Sequence, residues 1–195
     1  MNILKFVIIS VCFITNAYAD PRAVDAEQFD IAGVKLGMSS EAAVSAISAK
    51  LGIDKRSIKF ADPQPNAVTN SKESPYFTAK TSGASITVYF AANVPYDPKN
   101  KMAVDLIIYE QPWSSENASA MQSMAIEKYG QPSNGTISPA YDWCLQPNDN
   151  PGIGCFQFNG PKLQYHGTEL RPEDARRRQA VSDFISRREN SKPVF

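Results

Sequence analysis

Between Ser85 and Ala91 the chain alternates without a break, with Ile86, Val88 and Phe90 on one side and Ser85, Thr87 and Tyr89 on the other. A period of two belongs to a strand that buries one face. Met102 to Glu110 repeats the pattern with Val104, Leu106 and Ile108. Two neighbouring strands with one apolar face each predict an antiparallel sheet laid on a core, and a core of that kind needs a second layer.

Helices supply it. Ser39 or Ser40 is a fitting N-cap, Glu41 suits the first turn, and Val44, Ile47 and Leu51 recur as one apolar stripe before Gly52 closes the helix. A second helix is predicted after Ser114 or Ser115, with Ala118, Met121, Ala125 and Tyr129 on one side and Gly130 and Pro132 as its stop. Further strands are expected at Ser57 to Ala61, Tyr76 to Thr81, Ala140 to Gln146, Ile153 to Phe158 and Lys162 to Glu169, with Asp62 to Ser74 as a loop. A last helix is expected to start near Pro172 and to run through Val181, Phe184 and Ile185 to about Arg188. The fold class is therefore α+β, with antiparallel sheet packed against helices. Met38-Ser39-Ser40-Glu41 running to Lys50-Leu51-Gly52 parallels Trp113-Ser114-Ser115-Glu116 running to Lys128-Tyr129-Gly130. This divides the chain into a helix-then-sheet unit at 29–110 and a second at 111–195, forming one compact domain or a tandem pair; shared cap preferences could also produce the likeness.

The first nineteen residues have the pattern of a signal peptide. Lys5 precedes an apolar run from Phe6 to Ile14, and Ala17-Tyr18-Ala19 supplies small residues for cleavage before Asp20. The run is about half of what a spanning helix needs. Val11 before Cys12 does not suit lipid attachment, so a periplasmic or secreted protein is expected, with 20–28 as a flexible lead-in. Cys144 and Cys155 then remain as an even pair in an oxidising compartment, bracketing the turn-rich LQPNDNPGIG, and are expected to form a structural disulfide. The mature chain of about 175 residues carries no basic excess, which argues against nucleic-acid binding. No later stretch is long and apolar enough for a transmembrane segment.

Catalytic arrangements find little support. His166 is the single histidine, so a metal site built on several imidazoles is impossible, and no G-x-S-x-G or phosphate-binding glycine loop accompanies it. No cofactor and no metal are expected. Strand parity puts Asp142, Cys144, Cys155 and Gln157 on one side with Gln164 and His166, and puts Tyr141, Trp143, Leu145, Phe156, Phe158, Leu163 and Tyr165 on the other. The first set reads as a solvated face. Of the second, Tyr141, Trp143, Phe156, Phe158 and Tyr165 are candidate binding residues if no helix covers them. Otherwise they are core. Six arginines, Arg171, Arg176, Arg177, Arg178, Arg187 and Arg188, make the C-terminal helix basic, but interspersed acids favour a solvated face. Asn117 and Asn134 head glycosylation sequons, which matter only in a eukaryotic secretory route.

Gly33, Val34, Gly37, Met38, Ser39, Val44, Leu51 and Gly52 carry a resemblance to the helix-and-sheet module of the SmpA/OmlA outer-membrane assembly lipoproteins, similar in fold to the repeat of the β-lactamase inhibitor protein. Lys128-Tyr129-Gly130-Gln131-Pro132 matches a looser version. The resemblance implies the architecture and a tendency to bind other proteins. It does not carry the assembly role, since those lipoproteins are anchored by a lipidated cysteine. The expected function is a non-catalytic protein-binding or scaffold protein of the cell envelope with an unidentified protein partner. The alternatives are an enzyme inhibitor, and a hydrolase using Asp142, Asp149 or Glu169.

Overall fold

A computed structural model of the chain describes residues 22–133, 140–150 and 153–190. The signal pattern and the Asn134 sequon lie outside them. The elements run β1 (Asp30–Ile31), β2 (Val34–Lys35), α1 (Ser40–Leu51), β3 (Lys59–Phe60), β4 (Gln64–Asn66), β5 (Ser71–Glu73), β6 (Tyr76–Lys80), β7 (Ser85–Ala92), β8 (Met102–Glu110), α2 (Ser115–Tyr129), β9 (Ala140–Cys144), β10 (Pro161–His166), β11 (Glu169–Asp174) and α3 (Ala175–Asn190). Seven strands make one antiparallel sheet in the order β3-β6-β7-β8-β11-β10-β9, an α+β architecture. Each half of the chain contributes a helix and then a meander, and the two meanders meet through their last strands, β8 and β11. Segments 29–110 and 111–195 therefore share one sheet and one core.

That core lies on one face of the sheet, under α1 and α2. Ile47 of α1 and Met121 of α2 are fully buried with Phe77, Ile86, Val88, Ile107, Trp143 and Leu163. Each such side chain contributes about 1.5–3 kcal/mol by leaving water. Both helices start as their sequences predict. Ser39 Oγ accepts from Ala42 N at 3.2 Å, Ser114 Oγ accepts from Asn117 N at 3.0 Å, and Gly52 closes α1 in the left-handed region at φ 65°.

Five expectations fail locally. The β7–β8 register shifts between Tyr89, which faces Leu106, and Phe90, which faces Val104, so Asp105 is the extra residue of a bulge. Ile107, not Leu106 or Ile108, therefore joins Val104 in the core, and Leu106 turns to the opposite face. Pro172 is buried in β11, where the Cα pairing with β8 skips from Leu170 to Glu173, and the last helix starts at Ala175 instead. Lys162 to Glu169 is not one strand, because Gly167 at φ 61° turns β10 into β11. From Ile153 to Gln157 the chain forms turns rather than a strand, closed by Phe156 N to Ile153 O at 3.1 Å and Phe158 N to Cys155 O at 3.1 Å. The expected loop at Asp62 to Ser74 also holds the small hairpin β4–β5.

The flexible lead-in at 20–28 is fastened where it is described. Val24 N donates to Cys144 O at 2.7 Å, Arg22 N donates to Ser133 O at 3.1 Å, and Ala26 is fully buried. Cys144 and Cys155 are joined as a disulfide with their Cα atoms 6.0 Å apart. Among the described residues no helix is long and apolar enough to cross a membrane.

Candidate ligand-binding cleft

The sequence-predicted aromatic set is divided by the fold. Tyr141, Trp143 and Tyr165 lie beneath α2, each with its polar atom bonded: Gln122 Nε2 donates to Tyr141 Oη at 2.7 Å, Trp143 Nε1 donates to Gly130 O at 2.9 Å, and Tyr165 Oη donates to Ala118 O at 2.8 Å. They are core, because α2 covers them. Phe156 stands 78% exposed beside the disulfide and Phe158 is half-buried, so the five do not form one surface. The polar face is partly as expected. Asp142 pairs in register with Gln164, and its Oδ2 accepts from Cys155 N at 3.4 Å, while His166 is exposed and pairs with Ala140. Burial pushes the Asp142 carboxyl up. Gln157 lies in the turn, bonded to Asn148. Asp149 is exposed in the disulfide loop, and Asp142 and Glu169 occupy different rungs on strands separated by β10.

A cleft lies elsewhere, on the sheet face opposite α1 and α2. There α3 packs on β7 and β8. Its arginines fasten it. Arg178 Nη1 donates to Asp105 Oδ2 at 2.6 Å and Nη2 donates to Glu173 Oε2 at 3.2 Å. Arg177 Nη1 reaches Asn93 Oδ1 at 3.3 Å, and Arg176 Nε reaches Asp174 Oδ1 at 2.8 Å. Arg188 Nη1 donates to the Ala67 carbonyl at 2.8 Å. The arginines read in sequence as a solvated face are thus largely the fastening of α3.

Between α3 and the sheet lies an open cleft of about 520 Å³. Its floor and walls are Tyr89, Phe90, Ala91, Ala92, Leu106 and Val181, and its polar groups include Asp105, Arg171 and Arg178. The volume lies within the range of small-ligand sites, and so does the design of an apolar surface with a few convergent polar groups. The bulge creates the chemistry: it places Asp105, only 3% exposed, at the cleft while Leu106 turns to line it. Burial raises the Asp105 carboxyl above its usual value, opposed by the Arg178 guanidinium. Glu173 is gripped on both sides, by Arg178 and by Lys162 Nζ at 3.3 Å.

Neither Asp105 nor Arg171 is a site candidate on sequence grounds. One signal was there, an aspartate inside the apolar run Val104-Asp105-Leu106-Ile107-Ile108, since a charge in a buried strand needs a partner. Among the described residues no group of three or more His, Cys, Asp or Glu could hold a metal ion. Comparison with protein-family models, with curated proteins and with solved structures finds no match to this chain.

Proposed function

We propose that this chain is a non-catalytic binding protein of the cell envelope, periplasmic or secreted, which recognises another protein through the cleft beneath α3. The observation that carries the reading is the state of Asp105 in the cleft and of Glu173, which shares its arginine. Asp105 and Glu173 are both nearly buried and ion-paired to Arg178, so both are engaged in fastening α3. What the cleft offers is apolar surface rimmed by guanidinium donors, which suits recognition. The signal pattern, the disulfide and the SmpA/OmlA-like segment at 29–52 support the placement in the envelope and the protein partner.

A specific observation favours the inhibitor alternative as a second reading. Leu145 and Phe156 stand 52% and 78% exposed on either side of the disulfide, an apolar pair on a pinned loop that would suit insertion into a partner's cleft. Chemical cross-linking in the native envelope, followed by identification of what co-purifies, tests the proposal. A dominant protein adduct that is lost on Arg171→Gln supports binding through the cleft. A protein that stays free and monomeric contradicts it.

A further inference from the structure

We infer that the outer half of α3 is a lid over the cleft, latched by Arg188 to the β4–β5 hairpin and able to open while the core stays folded. This concerns access to the site proposed above and rests on that reading. The first argument is burial. Ala43 and Ile47 seat α1 in the core, and Met121 and Ala125 seat α2 there, all at 1% exposure or less. In α3 no side chain from Ala175 to Arg188 is buried, and Val181, Phe184 and Ile185 are only half-buried. A helical segment this short does not hold itself in water, so its attachment to the sheet decides whether it stays closed. Lifting it breaks no pairing in the seven-stranded sheet.

The second argument is where the fastenings lie. At the first turn Arg176 and Arg177 reach Asp174 at 2.8 and 3.6 Å, and Arg178 reaches Asp105 and Glu173 at 2.6 and 3.2 Å, all three acids being nearly buried. That end is rooted. Ten residues past Arg178, about 15 Å along the helix, Arg188 Nη1 donates to the carbonyl of exposed Ala67 at 2.8 Å. A bond of this kind at the surface exchanges with water at small net cost. Gln179 Nε2 to Asp183 Oδ1 and Arg187 Nε to Asp183 O stay within the helix. The third argument is the post that the latch grips. Val68 and Thr69 are buried at the hairpin's turn, and Asn66 Oδ1 accepts from their backbone N–H groups at 3.0 and 3.2 Å. Asn66 lines the cleft from the hairpin side and Val181 from the α3 side. Arg188 thus ties a fixed wall to a lightly held one, and its release widens the mouth over Ala91 and Leu106. Elements held in this way open sub-globally, ahead of the core.

The test is thiol labelling of the mature protein with a fluorescein maleimide, its disulfide left intact. Ala91→Cys puts a thiol on the cleft floor, at a residue 8% exposed. Ala43→Cys and Ala125→Cys, on the buried faces of α1 and α2, report unfolding of the core, and Ser115→Cys, exposed at the start of α2, reports free reactivity. Ala91→Cys is expected to label about tenfold or more faster than the core thiols and more slowly than Ser115→Cys. Adding Arg188→Gln should raise the Ala91→Cys rate about threefold or more and leave Ser115→Cys unchanged, while Arg188→Lys, which keeps a donor, should restore most of the gating. Equal rates at Ala91→Cys and the core thiols would mean that α3 opens only when the whole molecule unfolds. An Ala91→Cys rate indifferent to Arg188→Gln would mean that Arg188 is no latch. Either result overturns the inference, and a protein captured at the cleft alongside it would leave the binding reading standing. Gated labelling with no protein captured in the envelope would do the reverse.

Discussion

Arg178 and Asp105 form an ion pair that should respond very differently to loss of its two members. Asp105 is 3% exposed, and Arg178 is the one side chain bonded to its carboxylate among the described residues; the Arg178 side chain is 44% exposed. Arg178→Gln strands a buried carboxylate. Breaking a fully buried pair costs about 3–5 kcal/mol, but water reaches the arginine side, which brings the expectation to about 2 kcal/mol. Glu173 loses a partner too, yet keeps Lys162. Asp105→Asn instead removes the charge that burial penalises and keeps an oxygen for Arg178, so its cost should stay within about 1 kcal/mol. The sign with pH follows from the raised carboxyl. Protonation of Asp105 favours the folded state, so its stabilising contribution is complete below the unfolded value and is lost as pH rises through the folded one. The Arg178→Gln deficit should thus be larger near pH 7 than near pH 5, as the stranded carboxyl takes up a proton. Urea unfolding at both values measures it. Equal costs for the two variants near pH 7, or a deficit that grows toward acid, would refute the reasoning.

Three further outcomes follow from the core and its turns. Replacing Cys144 and Cys155 by serine should lower stability by about 3 kcal/mol through the freed loop, read as a fall in Tm; an unchanged Tm would mean the bridge is no staple. Trp143→Phe removes the indole bond to Gly130 O and leaves a void beneath α2, for a loss of about 2–3 kcal/mol in denaturant titration, and a loss below 1 would contradict the packing described. Gly37→Ala meets a left-handed φ of 83° and sets a Cβ 2.9 Å from Arg177 Nη2, while Gly52→Ala at φ 65° meets open space. Both should cost about 1 kcal/mol from the backbone in urea unfolding, and the Gly37 variant slightly more, because the Arg177 guanidinium must shift.

What was legible in the sequence is what local chemistry decides. Ser39, Gly52, Ser114 and Gly130 mark the ends of α1 and α2, and Met121, Ala125 and Tyr129 are the buried face that their spacing predicts. The alternation at Ile86, Val88 and Phe90 reads directly as the core face of β7. Errors came where tertiary pairing overrides local preference. Pro172 has the look of a helix start, but its missing N–H is tolerated where the pairing of β11 with β8 is interrupted. The Asp105 bulge reverses the parity of β8, and the aspartate inside an apolar run is its one local sign. The cleft stayed hidden for the same reason. It depends on the bulge and on α3 folding back across 73 residues of sequence to join Arg178 with Asp105, a pairing that no local period encodes.

We propose that the protein works by holding a partner in the cleft beneath α3. It is tested most directly by placing a photoreactive amino acid at Val181, which lines the cleft, and another at Trp113, which is exposed before α2. After irradiation in the native envelope, one dominant protein adduct is expected from Val181, abolished by Arg171→Gln, and none of that identity from Trp113. Adducts from Trp113 alone, or a Val181 adduct indifferent to Arg171, would contradict it.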